Sequence, residues 1–295
     1  MIDTKIRNKI RQIKIYTKRM MQSSISGDYL SAFKGSGLEF DQLREYQFGD
    51  DVRFIDWNSS AKMNKIMVKQ FIEERDRTVI LAIDISASSS FSSQNELRKD
   101  TIAQVAAALA FVAHENKDKV GILFFSDRIE KWIPPSRGNL HVGKIVETLF
   151  SFKPEGKKTD LVQALRFLVN LKKRNSILFV LSDWIEDDAR YAKILKVASV
   201  EYDFVGIRLV DPREQLFPDI GFLEIEDPES GKIFALDSRN FKLPHESLNT
   251  FLAARLNKQK NMFHKYDIDL LDLTLGHAFI NPLIMFFHQR TRRQV

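Results

Sequence analysis

From Thr78 onward, short apolar runs alternate with segments whose apolar residues recur at helical spacing. Each run is nearly continuously apolar, which is typical of strands covered on both faces, and the alternation indicates parallel strands joined by crossover helices. We therefore predict an α/β fold with a doubly wound, mostly parallel sheet. Strands are predicted at TVILAID (78–84), VGILFFS (120–126), SILFVLS (176–182), FVGIRLV (204–210) and DIDLLDL (267–273). Helices are predicted at 95–115, 139–151, 160–173, 187–199, 243–264 and 280–290.

Two further segments predict antiparallel strands. RIEKWIPP (128–135) is expected to be a short edge strand closing a hairpin, because Pro134 and Pro135 cannot continue a central ladder. FLEIEDPESGKIFAL (222–236) alternates on both sides of the turn residues PESG, which predicts a β-hairpin inserted before the long helix.

Composition excludes several classes of protein. The 295 residues include no cysteine, so a disulfide scaffold, a thiolate zinc site and a cysteine nucleophile are excluded. Apolar residues at 44% and charged residues at 28% are ordinary for a folded globular chain. We expect one main domain with a dependent extension.

The formal charge of +6 is concentrated at the start of the chain. Residues 1–22 carry seven Lys and Arg against Asp3 alone, so the rest is formally neutral and does not resemble a nucleic-acid-binding domain. Isoleucines recur here at helical spacing, which predicts a basic amphipathic helix. Its apolar stripe either packs on the protein's own body or makes peripheral contact with a membrane or an acidic partner.

The segment also lacks the apolar stretch of a signal peptide, and the longest apolar run, 102–113, is too short to cross a bilayer. We expect a soluble, cytoplasmic protein.

Three groups of polar residues lie in loops at the carboxyl ends of the predicted strands, which is the edge where such sheets bind ligands. Asp84 ends the first strand, and Ser86 and Ser88 follow it. Thr159 precedes the helix that begins LVQAL, and Asp183 directly follows SILFVLS. Spacing by two directs Asp84 and the two serines to one side, and this oxygen-rich set suits a hard cation such as Mg²⁺. The alternative is that the serines cap the following helix while Asp84 accepts hydrogen bonds from loop amides.

DISAS, with Thr159 and Asp183 far along the chain, resembles the metal-ion-dependent adhesion site of von Willebrand factor type A domains. The resemblance implies that Ser86, Ser88 and Thr159 ligate the ion and that Asp84 and Asp183 act largely through water. It also implies that a partner's acidic side chain completes the shell. The expected ion is Mg²⁺, with Mn²⁺ or Ca²⁺ as alternatives.

GLEFDQLREYQFGDDVRFIDWNSSA resembles the signature of the bacterial domain-of-unknown-function family 58, and DPREQLFPDIGFLEIEDPESGK (211–232) resembles a later segment of the same family. The resemblance implies a type A domain after the signature and a MoxR-type AAA+ ATPase as partner. From this resemblance, together with the charge and periodicity of the chain, we divide the chain into the helix 1–22, an extension 23–77 packed on the main domain, and a type A-like α/β domain 78–295 with the hairpin insertion near 222–236.

The signature is also rich in residues able to form ion pairs. We expect a network that ties the extension to the main domain, with two apolar anchors and a turn, although part of it could instead form a docking surface for the ATPase. The network residues are Arg44, Asp50, Asp51, Arg53, Asp56 and Glu73, the anchors Tyr46 and Trp57, and the turn residue Gly49.

The sequence thus favours a non-enzymatic, Mg²⁺-dependent protein-binding module, an adaptor for an AAA+ ATPase acting on other proteins. The alternative is a metal-dependent hydrolase or phosphatase using Asp84 or Ser86, but the chain has no G-x-S-x-G elbow and no histidine obviously placed as a base. EGKKTD (155–160) fails as a phosphate-binding loop, because Ser151 and Lys158 stand where that pattern needs Gly and Ser or Thr.

Overall fold

The structure is a computed structural model that describes residues 10–13, 37–74, 77–90, 98–173, 176–212, 222–226, 233–237 and 245–294. The chain forms two compact units. The smaller is Lys34–Arg77, and the larger combines Met1–Phe33 with Thr78–Val295.

The smaller unit contains an antiparallel pair of strands and a short helix. Its elements in chain order are β1 (Gly37–Glu45), a 3-10 turn (Val52–Phe54), α1 (Trp57–Met63) and β2 (Met67–Glu74). Helix α1 starts at Asp56, whose carboxylate accepts a hydrogen bond from the Ser59 N–H at 3.0 Å, and it ends at Asn64, which is left-handed. Strand β1 was not predicted from the sequence.

The charged residues of the smaller unit form local pairs. Arg44 binds Asp50 at 2.6 Å, Arg53 binds its neighbour Asp51 at 2.6 Å, and Lys69 binds Asp56 at 3.3 Å. The Glu73 side chain lies outside the described residues. In the described part these contacts are pairs within the unit, so a tie to the main domain stays a prediction.

The aromatic residues of this unit differ from expectation. Trp57 is 70% exposed and Phe48 is fully exposed, so the prediction that Trp57 is an apolar anchor is wrong. Tyr46 is half-buried, and Gly49 lies in a turn with φ of 104°. A glycine suits this turn because other residues rarely adopt such an angle.

The larger unit is built on one six-stranded sheet. In chain order its elements are β3 (Thr78–Asp84), a 3-10 turn (Ala87–Ser90), α2 (Arg98–Glu115), β4 (Lys119–Phe125), β5 (Ile129–Ser136), α3 (Asn139–Ser151), α4 (Leu161–Asn170), β6 (Ser176–Ser182), α5 (Asp188–Glu201), β7 (Tyr202–Val210), β8 (Phe222–Glu226), β9 (Ile233–Asp237), α6 (His245–Lys265), β10 (Asp269–Thr274) and α7 (Ile280–Gln294). The sheet order is β10-β7-β6-β3-β4-β5, with only β5 antiparallel. Strands β8 and β9 form a separate antiparallel pair.

Both faces of the sheet are covered. On β3, Val79, Leu81 and Ile83 belong to one buried cluster and Ile80 and Ala82 to another. Helices α2, α3 and α7 pack on the first face, and α4, α5 and α6 on the second. This two-sided burial explains why the strands are continuously apolar.

The predicted fold class is confirmed, and the predicted strands and helices lie where expected, with small differences at their ends. Strands β3 and β6 have the predicted bounds, whereas β7 starts two residues earlier, at Tyr202. Strand β10 begins at Asp269 rather than 267 because Asp267, with φ of 54°, ends a turn after α6. The edge strand and the 222–236 hairpin are both present.

Of the predicted N-terminal helix, the structure describes one helical turn, residues 10–13. Ile13 is only 4% exposed and belongs to the same buried cluster as Val79, whereas Arg11 and Gln12 are exposed. At this turn the apolar stripe packs on the protein's own body. Among the described residues, no helix combines the length and the apolar character needed to cross a membrane.

Candidate metal centre

The chain order of the strands places β3 and β6 side by side at the centre of the sheet. From β3 the chain runs outward to β4 and β5, then returns to β6 on the other side of β3. Such a reversal opens a crevice beyond the carboxyl ends of the two strands. Asp84 ends β3, and Asp183 directly follows β6, so both carboxylates lie at this crevice.

The Asp84 carboxylate is buried and held by two hydrogen bonds. Its side chain accepts from the Ser86 N–H at 3.0 Å on Oδ1 and from the Ser182 hydroxyl at 2.7 Å on Oδ2. Only 2% of Asp84 is exposed. The first bond turns the chain sharply after β3, and the second fixes the carboxylate against the neighbouring strand.

The serine hydroxyls lie where the spacing predicted. Ser86 is fully buried, Ser88 is half-buried, and their Oγ atoms are 3.0 Å apart. Ser88 lies in the short 3-10 turn 87–90. The alternative, in which Asp84 accepts hydrogen bonds from loop N–H groups, holds for its Oδ1 atom, which accepts from the Ser86 N–H. The hydroxyls of Ser86 and Ser88 nevertheless lie next to each other.

The loop that carries Thr159 is bound to this turn. The Ala87 N–H donates to the Lys157 carbonyl at 2.8 Å, two residues before Thr159, and the Asp160 N–H donates to the Ser126 carbonyl at 3.0 Å. Asp160 then starts α4 by accepting from the Gln163 N–H at 2.9 Å. Thr159 is therefore held between two anchored backbone positions on the same side of the sheet as Ser86, with its side chain half-buried.

Asp183 is paired with a buried cation that the sequence analysis did not identify. Arg98, the first residue of α2, donates from Nη1 to Oδ2 of Asp183 at 2.8 Å, with the two side chains 2% and 4% exposed. The other oxygen of Asp183 accepts from the Ile185 N–H at 3.2 Å. Buried carboxylates generally require such compensation.

The backbone after Asp183 is strained. Trp184 has φ of 57° although it is a large non-glycine residue, and its side chain is buried with the indole 4.9 Å from the Phe263 ring. The backbone N–H of Trp184 donates to the Ser182 hydroxyl at 3.1 Å, and its backbone carbonyl accepts from the Gln259 side chain at 2.7 Å. These contacts fix the direction in which the chain leaves Asp183.

The two carboxylates of the site, Asp84 and Asp183, repel each other. Burial, together with the negative charge of Asp183, raises the pKa of the Asp84 carboxyl to about 7, against the hydrogen bonds from Ser182 and Ser86, which lower it. The Arg98 guanidinium pairs with Asp183, and the negative charges of the two buried carboxylates repel each other. A cation near Asp84 would relieve the repulsion.

The donor set fits a hard divalent cation. Among the described residues, no group of three or more His, Asp or Glu side chains could hold a metal, so this candidate depends on hydroxyl oxygens together with two carboxylates. Hydroxyl and carboxylate oxygens are the ligands that Mg²⁺ accepts, usually with water completing the octahedron. The residues that would hold the ion are Asp84, Ser86, Ser88, Thr159 and Asp183.

Two histidines that could be considered as bases for a hydrolase are hydrogen-bonded elsewhere. His114 is hydrogen-bonded to Asn139 at 2.7 Å and His141 to the Val120 carbonyl at 2.7 Å. Neither serves Ser86, whose hydroxyl lies beside that of Ser88.

Comparison with known proteins identifies the family. Residues 42–250 match the model of the family described as "Protein of unknown function DUF58". The chain belongs to the DUF58 family. Relatives include the uncharacterized proteins Mb1516 of Mycobacterium bovis and Rv1480 of Mycobacterium tuberculosis, each 27% identical over 239 residues, which cover 80% of this chain and 75% of the relative.

Three solved structures resemble this chain weakly in their backbone fold. The conserved hypothetical protein BatB from Bacteroides thetaiotaomicron has a TM-score of 0.47 at 13% identity, over 74% of this chain and 98% of that one. An aerotolerance-related membrane protein from Bacteroides fragilis has a TM-score of 0.45 at 16% identity, over 74% and 99%. The SpRpn10 VWA domain has a TM-score of 0.41 at 10% identity, over 70% and 93%. A likeness of this degree assigns no function.

The DUF58 match includes every candidate ligand and also the three residues that sequence reasoning missed, Arg98, Ser182 and Trp184. A serine directly before Asp183 at a strand end was the available signal for Ser182. Arg98 and Trp184 carried no local signal, because their roles depend on which elements meet in the folded chain.

Proposed function

We propose that this DUF58 protein is a Mg²⁺-dependent protein-binding module, without enzymatic activity of its own, that acts as an adaptor for a MoxR-type AAA+ ATPase. The observation that carries the proposal is the pair of buried carboxylates, Asp84 and Asp183, at adjacent strand ends. Serine hydroxyls lie beside them, and the Arg98 guanidinium pairs with Asp183. A divalent ion supplies the missing charge.

Charge balance also supports an acidic ligand. Two carboxylates and Arg98 leave one negative charge, and a divalent cation converts this to one positive charge. A single carboxylate from a partner then makes the buried site neutral, which is the arrangement that a low-dielectric environment favours. This agrees with the resemblance to metal-ion-dependent adhesion sites, in which a partner's acidic side chain completes the shell.

The resemblance to family 58 supports the choice of partner, since it implies a MoxR-type ATPase. The signature in the smaller unit offers a second docking surface, because Phe48 and Trp57 are exposed there while the nearby charges of Asp50 and Asp51 are paired locally. Aromatic groups with few free charges are typical of interface cores. We place the whole complex in the cytoplasm.

The ion is tested by titration calorimetry with Mg²⁺ and Mn²⁺ on the wild type, Asp84→Ala and Asp84→Asn. Glu147→Ala serves as the control, because Glu147 is an exposed carboxylate on α3. We expect the wild type and the control to bind Mg²⁺ alike and both Asp84 variants to lose binding at least ten-fold. Equal binding by Asp84→Asn, or no heat with the wild type, rules the metal site out.

The partner is tested by affinity capture from a bacterial lysate in the presence of Mg²⁺, with wild type and Asp84→Asn as baits. We expect a MoxR-type ATPase with the wild type only. Capture that is identical in EDTA, or capture by both baits, contradicts a metal-dependent adaptor.

A further inference from the structure

Three loops carry the candidate metal ligands, and hydrogen bonds connect them in pairs. The loops are 85–90 after β3, 152–160 before α4 and 183–187 after β6. The first is joined to the second by the Ala87 N–H, which donates to the Lys157 carbonyl at 2.8 Å. The ends of β3 and β6 are joined by the Ser182 hydroxyl, which donates to Asp84 at 2.7 Å. A connection between the second and the third loop completes a closed ring.

Glu186 makes that connection. Its Oε2 atom accepts a hydrogen bond at 2.9 Å from the N–H of Leu161, which starts α4 two residues after Thr159. Only 7% of the Glu186 side chain is exposed, and its Oε1 atom pairs with Arg190 at 2.7 Å. A buried carboxylate thus joins the loop of Asp183 to the loop of Thr159.

The chain between Asp183 and Glu186 is itself held in place. The Ile185 N–H donates to Oδ1 of Asp183 at 3.2 Å, and the Trp184 carbonyl accepts from the Gln259 side chain on α6 at 2.7 Å. Glu186 therefore extends from an anchored segment. It can hold the start of α4 at a fixed distance from Asp183.

The position of this carboxylate is unfavourable. Burial raises the pKa of the Glu186 carboxyl, and the hydrogen bond from Leu161 and the charge of Arg190 offset this only in part. The negative charges of Asp160 and Asp187 act in the same direction as burial. Carboxyl groups perturbed in this way are enriched at functional sites, which agrees with a role for Glu186 at the metal centre.

The rigidity of the ligand loops bears on which ion the centre accepts. Mg²⁺ requires a near-ideal octahedron with short metal–oxygen distances, whereas the larger Ca²⁺ tolerates more ligands and irregular geometry. A closed ring of loops keeps the ligand oxygens at fixed separations and so suits the more demanding ion. Opening one connection in the ring should weaken the binding of Mg²⁺ more than that of Ca²⁺.

We infer that Glu186 is a positioning residue that makes the candidate centre selective for Mg²⁺ over Ca²⁺, because it holds the Thr159 loop at a fixed distance from Asp183. The inference rests on the proposed function and deepens it by naming the ion that the module uses and a residue that selects it. In this role Glu186 acts through the Leu161 N–H rather than as a ligand of the ion.

Two conservative variants separate the hydrogen bond from the charge. Glu186→Asp keeps the negative charge but is one methylene group shorter, so its carboxylate falls short of the Leu161 N–H. Glu186→Gln loses the charge but keeps an oxygen that can accept this hydrogen bond. Glu147→Asp is the matched control for the shortening, because Glu147 is exposed on α3.

The full-length proteins are titrated with Mg²⁺ and with Ca²⁺ by calorimetry, and hydrogen exchange of the Leu161 amide reports on the bond itself. We expect the wild type, Glu186→Gln and the control to prefer Mg²⁺ by the same ratio of affinities and to protect that amide. In Glu186→Asp the amide should exchange faster, and Mg²⁺ affinity should fall about ten-fold while Ca²⁺ affinity falls less than about three-fold.

Each other result overturns the inference. If Glu186→Gln loses the preference for Mg²⁺, the charge is responsible rather than the hydrogen bond. If Glu186→Asp keeps the wild-type ratio, or the wild type binds Ca²⁺ as tightly as Mg²⁺, Glu186 selects no ion. In these cases Mg²⁺ still binds and the proposed metal-dependent module stands. If the wild type does not bind Mg²⁺ at all, the inference and the proposed function are both overturned.

Discussion

The hydroxyl of Ser182 lies between the strained residue and the buried carboxylate. It accepts from the Trp184 N–H at 3.1 Å and donates to Asp84 at 2.7 Å, so one side chain fixes both the end of β6 and the end of β3. Ser182 thereby links the strained Trp184 to the buried carboxylate of Asp84. Strain of this kind persists only where surrounding contacts over-determine it.

The raised pKa of Asp84 predicts how stability depends on pH without metal. The unfolded carboxyl titrates near 3.8 and the folded one near 7, so in this interval the unfolded chain loses its proton first and the folded state loses stability as pH rises. Relative to Asp84→Asn, the wild type in EDTA should lose more than about 2 kcal/mol in the free energy of unfolding between about pH 4 and pH 8. Chemical denaturation across this range measures it.

Magnesium should reverse that loss near pH 8 in the wild type only, because the ion binds the ionised carboxylate. If the two proteins show parallel stability profiles in EDTA, Asp84 does not have the raised pKa described above.

Arg98 offers a second prediction at this scale. Arg98→Met leaves Asp183 buried without its cation, and we expect the free energy of unfolding in EDTA to fall by about 3 kcal/mol or more. Mg²⁺ should then raise the melting temperature more than it does in the wild type, since the ion becomes the main compensating charge.

The matched control is Arg293→Met, which removes an ion pair to Asp269 at 3.1 Å from an arginine that is 72% exposed, while Asp269 keeps its second partner Arg290 at 3.0 Å. Such a surface pair should contribute less than about 1 kcal/mol. If the two variants are equally stable, or Mg²⁺ shifts them equally, Arg98 does not compensate the site.

At the scale of elements, the sheet could be predicted because strands that are buried on both faces are nearly continuously apolar in sequence. Strands β3 and β6, covered on both faces, were predicted to the residue. Strand β1 was missed because GLEFDQLRE is mostly polar and pairs only with β2 in a small unit. The local triplet at Asp84 was visible in the sequence, whereas the Arg98 pairing depends on where helix α2 begins in space and could not be deduced.

The loop from α3 to α4 should be essential for metal binding because of a close approach at Gly156. A Cβ there would lie 2.2 Å from the Ser126 hydroxyl, which is buried and already donates to Glu130 at 2.7 Å, and the Gly156 N–H donates to the same carboxylate at 2.7 Å. Gly156→Ala should therefore displace the loop and Thr159 with it. We expect Mg²⁺ affinity, measured by calorimetry, to fall by about ten-fold, which corresponds to about 1.4 kcal/mol.

Gly143→Ala provides the control, because its Cβ would meet no atom within 4 Å and alanine favours the interior of helix α3. It should leave Mg²⁺ binding unchanged and stabilise the protein slightly. Normal Mg²⁺ affinity in Gly156→Ala would show that the loop does not position a ligand.

At the scale of the whole molecule, the chain separates a basic start from a neutral remainder. All of the formal +6 charge lies in residues 1–22, yet Ile13 of that segment is buried in the core cluster with Val79. The segment therefore contributes to folding through at least one side chain. Contact of the basic residues with a membrane stays a prediction. In the described turn, such contact would involve the exposed Arg11.

Substitution within this turn separates packing from surface binding. Ile13→Ala removes a buried side chain and should lower the free energy of unfolding by about 2 to 4 kcal/mol. Arg11 is exposed and lies two residues before Ile13. Arg11→Ala should change the free energy of unfolding by less than about 0.5 kcal/mol. Urea denaturation gives both values, and flotation with phosphatidylserine vesicles gives the surface binding. If Ile13→Ala left stability unchanged and abolished vesicle binding, the apolar stripe would serve a membrane rather than the core.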